Sequence, residues 1–446
     1  MNFVVIGGDA AGMSAASKAK RNRPDMNITV LEKTADVSYS ACGMPYNIAD
    51  PIRDMDDLVV RQAKAFREKQ GINLLVGHWV KKISRDEKVV TGTDINGKSF
   101  EFPYDKLLIA TGASPVIPNL PGFDLPGVTA LKSLEDGRKI KDYLIKKNVR
   151  KAIILGMGYI ALEMGEALRA RDIEVNMVKP RHDFITWMDP EMAQIVKTEV
   201  ESNRVNLYSG YKVEKIERSG DSLKVICNDL ILEGDMVLTA IGVKPNSDIA
   251  AEADIDLGAG KAIAVNSRLC TSDKDIYAAG DCADAIHVIT GKKTWIPLAL
   301  RANRGGWAVA DNVCGGDVQL QGVVGTAVFK VFEFELARTG FNSKEASEAG
   351  FDPIEVMIES QSRAHAHPGA VPIWVQMVGD KKSGRLLGVQ MIGKEGVAHR
   401  INAPAVALHN RMTVEQLFQC DFAYAPPFGP VWDPVLTAAN MLLKKM

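Results

Sequence analysis

Short apolar runs recur along the chain, most of them ending at a small-residue turn. Phe3-Val4-Val5-Ile6 shows no alternation, the pattern of a strand buried on both faces. It runs into Gly7-Gly8-Asp9-Ala10-Ala11-Gly12, and a helix is expected from Met13 to about Arg21. Ile28-Thr29-Val30-Leu31 reads as the next strand and ends at Glu32. The arrangement repeats at Lys151-Ala152-Ile153-Ile154-Leu155, which leads into Gly156-Met157-Gly158-Tyr159-Ile160-Ala161 and a helix from Leu162 to Arg169. The strand after it, Glu174 to Val178, ends at Lys179. Near the C-terminus, Ile373 to Val378 and Leu386 to Ile392 flank the polar turn Gly379 to Arg385, as in a β-hairpin.

A strand, a glycine turn and a helix in direct succession suit a dinucleotide. The first glycine makes the tight turn, and the helix N-terminus offers free N–H groups to a pyrophosphate. Gly7, Gly8, Ala11 and Gly12 form one such turn, and Glu32 can accept hydrogen bonds from a ribose diol. Asp9 stands at the second glycine position, so its carboxylate must point away from the phosphates or be offset. Gly156, Gly158 and Ala161 form the second turn. Lys179, Arg181 and His182 then stand where an acid would repel a 2′-phosphate, which favours NADPH over NADH. Two fingerprints imply one flavin and one nicotinamide dinucleotide. The near-twin segments Tyr104 to Gly112 and Leu238 to Asn246 are expected to mark crossings between the two nucleotide domains. Thr271 to Asp281 closes the first, with Asp281 placed for a ribityl hydroxyl of FAD.

Composition adds bounds. The 446 residues suggest about three domains. Hydrophobic residues make up 46% and charged residues 24%, an ordinary soluble composition. A net charge of −1 offers no field for nucleic acid or anionic lipid, and no apolar run spans a bilayer. The strand at the N-terminus leaves no room for a signal peptide. The six cysteines show neither CxxC nor metal-ligand spacing, so no metal is expected and a cytoplasmic, reducing location is.

Cys42 is the candidate for chemistry. Pro45 suits the first position of a helix, with Cys42 just ahead of it. A thiolate there feels the positive end of the helix dipole, and a lowered pKa is expected. The other five cysteines read as packing residues.

In this order, the two fingerprints, the crossing turns and Gly280-Asp281 resemble the FAD-dependent pyridine nucleotide–disulfide oxidoreductases over essentially the whole chain. The single-cysteine branch fits best, because Asn47 occupies the place of the second cysteine of glutathione reductase relatives. No histidine appears from Asp421 to Pro434, where those relatives carry an acid–base pair. The Cys42-Gly43-Met44-Pro45-Tyr46 run and Tyr424-Ala425-Pro426-Pro427-Phe428 are similar to CoA-disulfide and persulfide reductases. The resemblance implies an α/β architecture. Two Rossmann-like domains are expected, FAD-binding at 1–112 and 243–322 and NAD(P)-binding at 113–242. An α+β dimerisation domain would follow at 323–446, and with it a homodimer. It also implies cofactor contacts at Lys33, Thr111, Gly112, Ile160, Gly242, Pro297, Leu298 and Ala299. Tyr159 would cover the flavin and swing aside for nicotinamide, which Glu163 in the same helix would contact. CoA contacts are implied at Lys18, Arg21, Ser38, Asn303 and Arg304.

The substrate side departs from its relatives. Ala41 stands where CoA-disulfide reductases often have Asn or Ser, and His365-Ala366-His367-Pro368-Gly369 replaces their Tyr-Tyr-Pro-Gly. His367 can donate a proton near neutral pH, and Tyr424 is the other donor. The expected activity is electron transfer from NAD(P)H through FAD and Cys42 to a CoA disulfide or a related small disulfide or persulfide. The rhodanese domain common among persulfide reductases is not seen before Met446, which weakens that variant. One rival is an NAD(P)H oxidase or peroxidase working through a Cys42 sulfenic acid. The other is a redox-signalling flavoprotein without turnover.

Overall fold

The computed structural model describes Met1–Met446. Two parallel five-stranded sheets repeat one design. The first runs Ile276–Ala278, Lys106–Ile109, Asn2–Ile6, Asn27–Glu32, Asn73–Val76. The second runs Val205–Ser209, Glu174–Lys179, Lys151–Leu155, Met236–Thr239, Val128–Thr129. In each, the strand entering the glycine turn lies at the centre, paired on one side with the strand that follows the helix and on the other with a crossing strand.

The repeat extends to single atoms. Gly7 and Gly156 adopt φ of 108° and 114°, open to glycine and strained for other residues. A Cβ on Gly7 would run into the carbonyl oxygen of Ala110, and one on Gly156 into that of Ala240. The twin crossing strands are therefore twins because each delivers a carbonyl against the same turn. The crossings themselves pair, Ala113–Pro115 against Val243–Pro245, antiparallel. Thr111 Oγ1 donates to the Asn246 carbonyl at 2.6 Å, and Asn246 Nδ2 to the Thr111 carbonyl at 2.8 Å.

Five helices matter to the site: α1 (Ala10–Asn22), α2 (Met44–Ala49), α3 (Leu134–Lys146), α4 (Tyr159–Arg169) and α5 (Ala299–Val313). Both fingerprint helices begin inside their glycine turns, earlier than the expected Met13 and Leu162. Gly12 explains the first case, since only a residue without Cβ lets the opening turn of α1 sit against the Gly7 carbonyl. Helix α2 has six residues, too few to stand alone. Met44 and Ile48 anchor it in one apolar core with Leu134, Ile140 and Leu144 of α3 and Met164 and Leu168 of α4. Each such fully buried side chain contributes roughly 1.5–3 kcal/mol. By packing, α2 thus belongs with the second sheet, although the chain reaches it from the first.

The third layer is an antiparallel five-stranded sheet, ordered Ala327–Val331, Phe334–Gly340, Leu386–Gly393, Pro372–Asp380, Pro353–Gln361. The expected hairpin is its centre, with Val375 opposite Met391 and a register irregularity at Val378/Gly379. No helix is long and apolar enough to cross a membrane.

Candidate functional site

The first glycine turn closes around carboxylates. Glu32 accepts from Gly8 N, Thr34 N and Thr34 Oγ1, each at 2.7 Å, so its oxygens are fixed at the turn. Asp9 flanks the N-terminus of α1 without capping it. Its carboxylate accepts one hydrogen bond, from Tyr39 N, which is long at 3.4 Å. Burial pushes its carboxyl up to about 6, with Glu32 and Asp281 adding to the rise and Lys132 opposing it. Lys132 Nζ lies 3.3 Å from Asp281 Oδ2, so the acid expected at a ribityl chain has a cation beside it that sequence reasoning missed. A Cβ on Gly306 of α5 would strike the Ala11 carbonyl, and one on Gly280 would sit 3.1 Å from Ala11 Cβ. Ser38 adopts φ 49°, its N–H bonded to Gly8 O at 3.1 Å, which brings its loop against the turn. The glycine cradle, the uncapped helix end and the placed acids fit a flavin dinucleotide.

Cys42 lies in a 3-10 turn, Ala41–Gly43, directly before α2, which begins at Met44, so Pro45 is its second residue and not the expected first. The thiol has solvent access, yet its pKa is raised, not lowered. Withdrawal from water is the largest cause and the Glu163 carboxylate the second; Asp281 and Asp9 add, and Lys132 alone opposes. The helix-dipole expectation is corrected here: six residues carry little dipole, and burial together with the nearby carboxylates outweighs it. Tyr46 Oη donates to Glu163 Oε1 at 2.9 Å, joining α2 to α4. Asn47, in the place of a second redox cysteine, is fully buried and turned away into the protein. Its Nδ2 donates to the Asp54 carbonyl at 2.6 Å and its Oδ1 accepts from Lys141 Nζ at 2.9 Å.

At the second turn, a Cβ on Gly158 would meet nothing within 4 Å, leaving an open approach to the start of α4. The fit to a second dinucleotide rests on this opening and on the uncapped α4 N-terminus. Tyr159 packs against Phe329 at 4.6 Å between ring centroids, with Trp187 at 6.3 Å. Ile160 is exposed beside it. Lys179 spends its ammonium on the carbonyls of Asp183 and of Phe184, the latter at 2.8 Å, and burial lowers its pKa. Arg181 is exposed and has no side-chain partner. Beyond it, His182, Gln194, Lys197 and Ser209 line a cavity of about 310 Å³.

Apart from Ser38, the residues expected on the substrate side form two separate groups. Lys18 pairs with Asp311 at 2.6 Å and lies over the Trp307 ring, 5.5 Å from its centroid. Arg21, Asn303 and Arg304 are exposed nearby, and Asn303 accepts from Ser14 Oγ at 2.8 Å. His367 and Tyr424 stand on neighbouring loops joined by Ala364 N to the Pro426 carbonyl at 3.0 Å. Arg400 braces the same loops, donating to Asp433 at 2.8 Å and to the carbonyls of Ser362 and Phe428 at 3.1 and 2.7 Å. Within one chain no hydrogen bond links His367 or Tyr424 to Cys42; the His367 ring meets only the Pro368 carbonyl, at 3.1 Å.

Comparison with known proteins shows the family. The pyridine nucleotide-disulphide oxidoreductase family pattern matches residues 1–306, and the dimerisation domain of that family matches residues 326–434. The chain is 37% identical over 440 residues to an NAD(P)H sulfur oxidoreductase (CoA-dependent) of Pyrococcus furiosus, covering 98% of both chains. It is 33% identical to an NADH oxidase of Methanocaldococcus jannaschii, covering 100% of this chain and 99% of the other. The solved NAD-dependent persulfide reductase of A. fulgidus superposes with a TM-score of 0.96 at 38% identity, over 100% of this chain and 83% of that one. The chain belongs to the pyridine nucleotide-disulphide oxidoreductase family.

Proposed function

We propose that this protein takes two electrons from NAD(P)H and passes them through Cys42 to a disulfide or persulfide of coenzyme A or a related small thiol. The observation that carries the reading is the single thiol: Cys42 is accessible, and position 47 holds a buried asparagine already committed to Asp54 and Lys141. No internal disulfide can form there, so the thiol works through a mixed disulfide, a persulfide or a sulfenic acid. The relatives named for sulfur and CoA chemistry support the same substrate class.

A flavin in the first cradle and a nicotinamide in the second supply the hydride and electron-pair transfer. Cys42 as thiolate attacks one sulfur of RS–SR; the S–S bond breaks, RS⁻ leaves with a proton, and Cys42–S–S–R forms. Two electrons then break that bond, restoring the Cys42 thiolate and releasing the second RS⁻. The sum is RSSR + 2e⁻ + 2H⁺ → 2 RSH. We assign the proton transfers to His367 and Tyr424 of a second copy in a homodimer. Lys18, Arg21, Ser38, Asn303 and Arg304 are assigned to CoA. The assigned limits are 1–112 with 243–322 for FAD, 113–242 for NAD(P) and 323–446 for dimerisation. Six free cysteines accord with a reducing, cytoplasmic setting.

The NADH oxidase relative favours a second reading, reduction of oxygen or peroxide through a Cys42 sulfenic acid. Mass spectrometry of the Cys42 peptide from the isolated protein separates the two: a CoA adduct supports the first, a sulfenic acid the second. Cys42→Ser should keep FAD and lose disulfide turnover, and unchanged turnover in that variant would refute the thiol mechanism.

A further inference from the structure

The C-terminal end of α2 is gripped by two cations, one on α3 and one just beyond α4. Lys141 of α3 is only 8% exposed. Its Nζ donates to Asn47 O at 3.0 Å, Asn47 Oδ1 at 2.9 Å and Asp50 O at 2.8 Å, and also to the Arg53 carbonyl. Arg171, just beyond α4, donates from Nη1 to the Ile48 carbonyl at 3.2 Å. The last carbonyls of a helix lack partners in the helix, and cations are favoured there. Burying an ammonium is costly, and here no carboxylate touches it: Asp50 and Asp54 favour its charge only from a distance, while burial and Arg171 lower its pKa. Four protein oxygens satisfy the ammonium instead. Helix α2 is only about 9 Å long at 1.5 Å per residue, so a displacement at Ile48 is carried to Cys42.

We propose that Lys141, seconded by Arg171, is a positioning residue for the Cys42 thiol, fixing α2 from its far end so that the thiol keeps one place against the cofactor cleft. The Asn47 side chain, standing where a second thiol would be, is the receiving part of that clamp. The proposal rests on Cys42 being the sulfur carrier.

The test uses FAD-loaded Lys141→Met, kept below its melting temperature. Stopped-flow gives the ratio of the sulfur half-reaction to flavin reduction by NAD(P)H. The reduced protein is also scanned for the long-wavelength thiolate–flavin charge-transfer band. A misplaced reacting group should lower the ratio roughly ten- to hundredfold, with a parallel loss of the band. Asn47→Ala and Arg171→Gln should move both readouts the same way by less. A lower melting temperature with ratio and band unchanged overturns the proposal and leaves Lys141 a structural staple. If Lys141→Met yields no folded protein, unchanged ratios in both Asn47→Ala and Arg171→Gln overturn it. A wild type lacking the band, or wild-type sulfur turnover in Cys42→Ser, instead refutes Cys42 as the carrier.

Discussion

Tyr46 Oη donates to Glu163 Oε1 at 2.9 Å, across 117 residues of sequence. This bond joins the helix that follows the thiol to the helix that opens the second nucleotide turn. Burial raises the Glu163 pKa, the Tyr46 bond lowers it, and the Glu163 charge in turn raises Cys42. The state of the nicotinamide-side acid is therefore felt at the thiol.

Glu163→Gln should remove that repulsion and lower the pKa of Cys42. Alkylation of Cys42 measured against pH should show its midpoint moved toward acid, with faster labelling at neutral pH. A midpoint that stays put would mean that the Glu163 charge does not hold the thiol up.

Asp9 should tie stability to pH. Its carboxyl rises from 3.8 to about 6 in the folded chain. Between these values the folded state binds more protons than the unfolded state, so stability falls as pH rises. The penalty is absent below the lower value and complete above the upper one. Two pKa units correspond to about 3 kcal/mol, an upper bound for this site. Asp9→Asn should raise the melting temperature of the FAD-free protein at pH 7.5 and leave it nearly unchanged at pH 4. Equal gains at both pH values would refute the assignment.

Coenzyme choice should depend on Arg181 more than on Lys179, whose ammonium is already committed to the loop carbonyls of Asp183 and Phe184. Arg181→Glu should raise the KM for NADPH about ten- to hundredfold more than that for NADH, the worth of one charged phosphate contact. Lys179→Met should loosen that loop and weaken both coenzymes alike. A wild type that prefers NADH would make the basic loop a solvated one.

His367 and Tyr424 share one surface, braced by Arg400. If His367 of a second copy protonates the leaving thiolate, the sulfur half-reaction should depend on its imidazole. His367→Phe should slow that step and change its pH profile, while stopped-flow flavin reduction keeps its rate. Identical sulfur-step profiles in variant and wild type would leave Tyr424 or water as the donor.

The sequence alone determined the repeated strand–turn–helix units, their glycines, the hairpin of the third sheet and the lone thiol at Cys42. These are local signals: an apolar run, a residue that tolerates positive φ, a period along a helix. Only the tertiary structure decided what surrounds the thiol. Lys141 reaches Asn47 across 94 residues, Lys132 reaches Asp281 across 149, and Glu163 comes to Tyr46 from another helix. None of these partners is marked by spacing, and each changes a charge or a position at the site. The pKa of Cys42 shows the consequence: a short helix predicted a lowered value, and burial, followed by the Glu163 charge brought from a distant part of the chain, raises it.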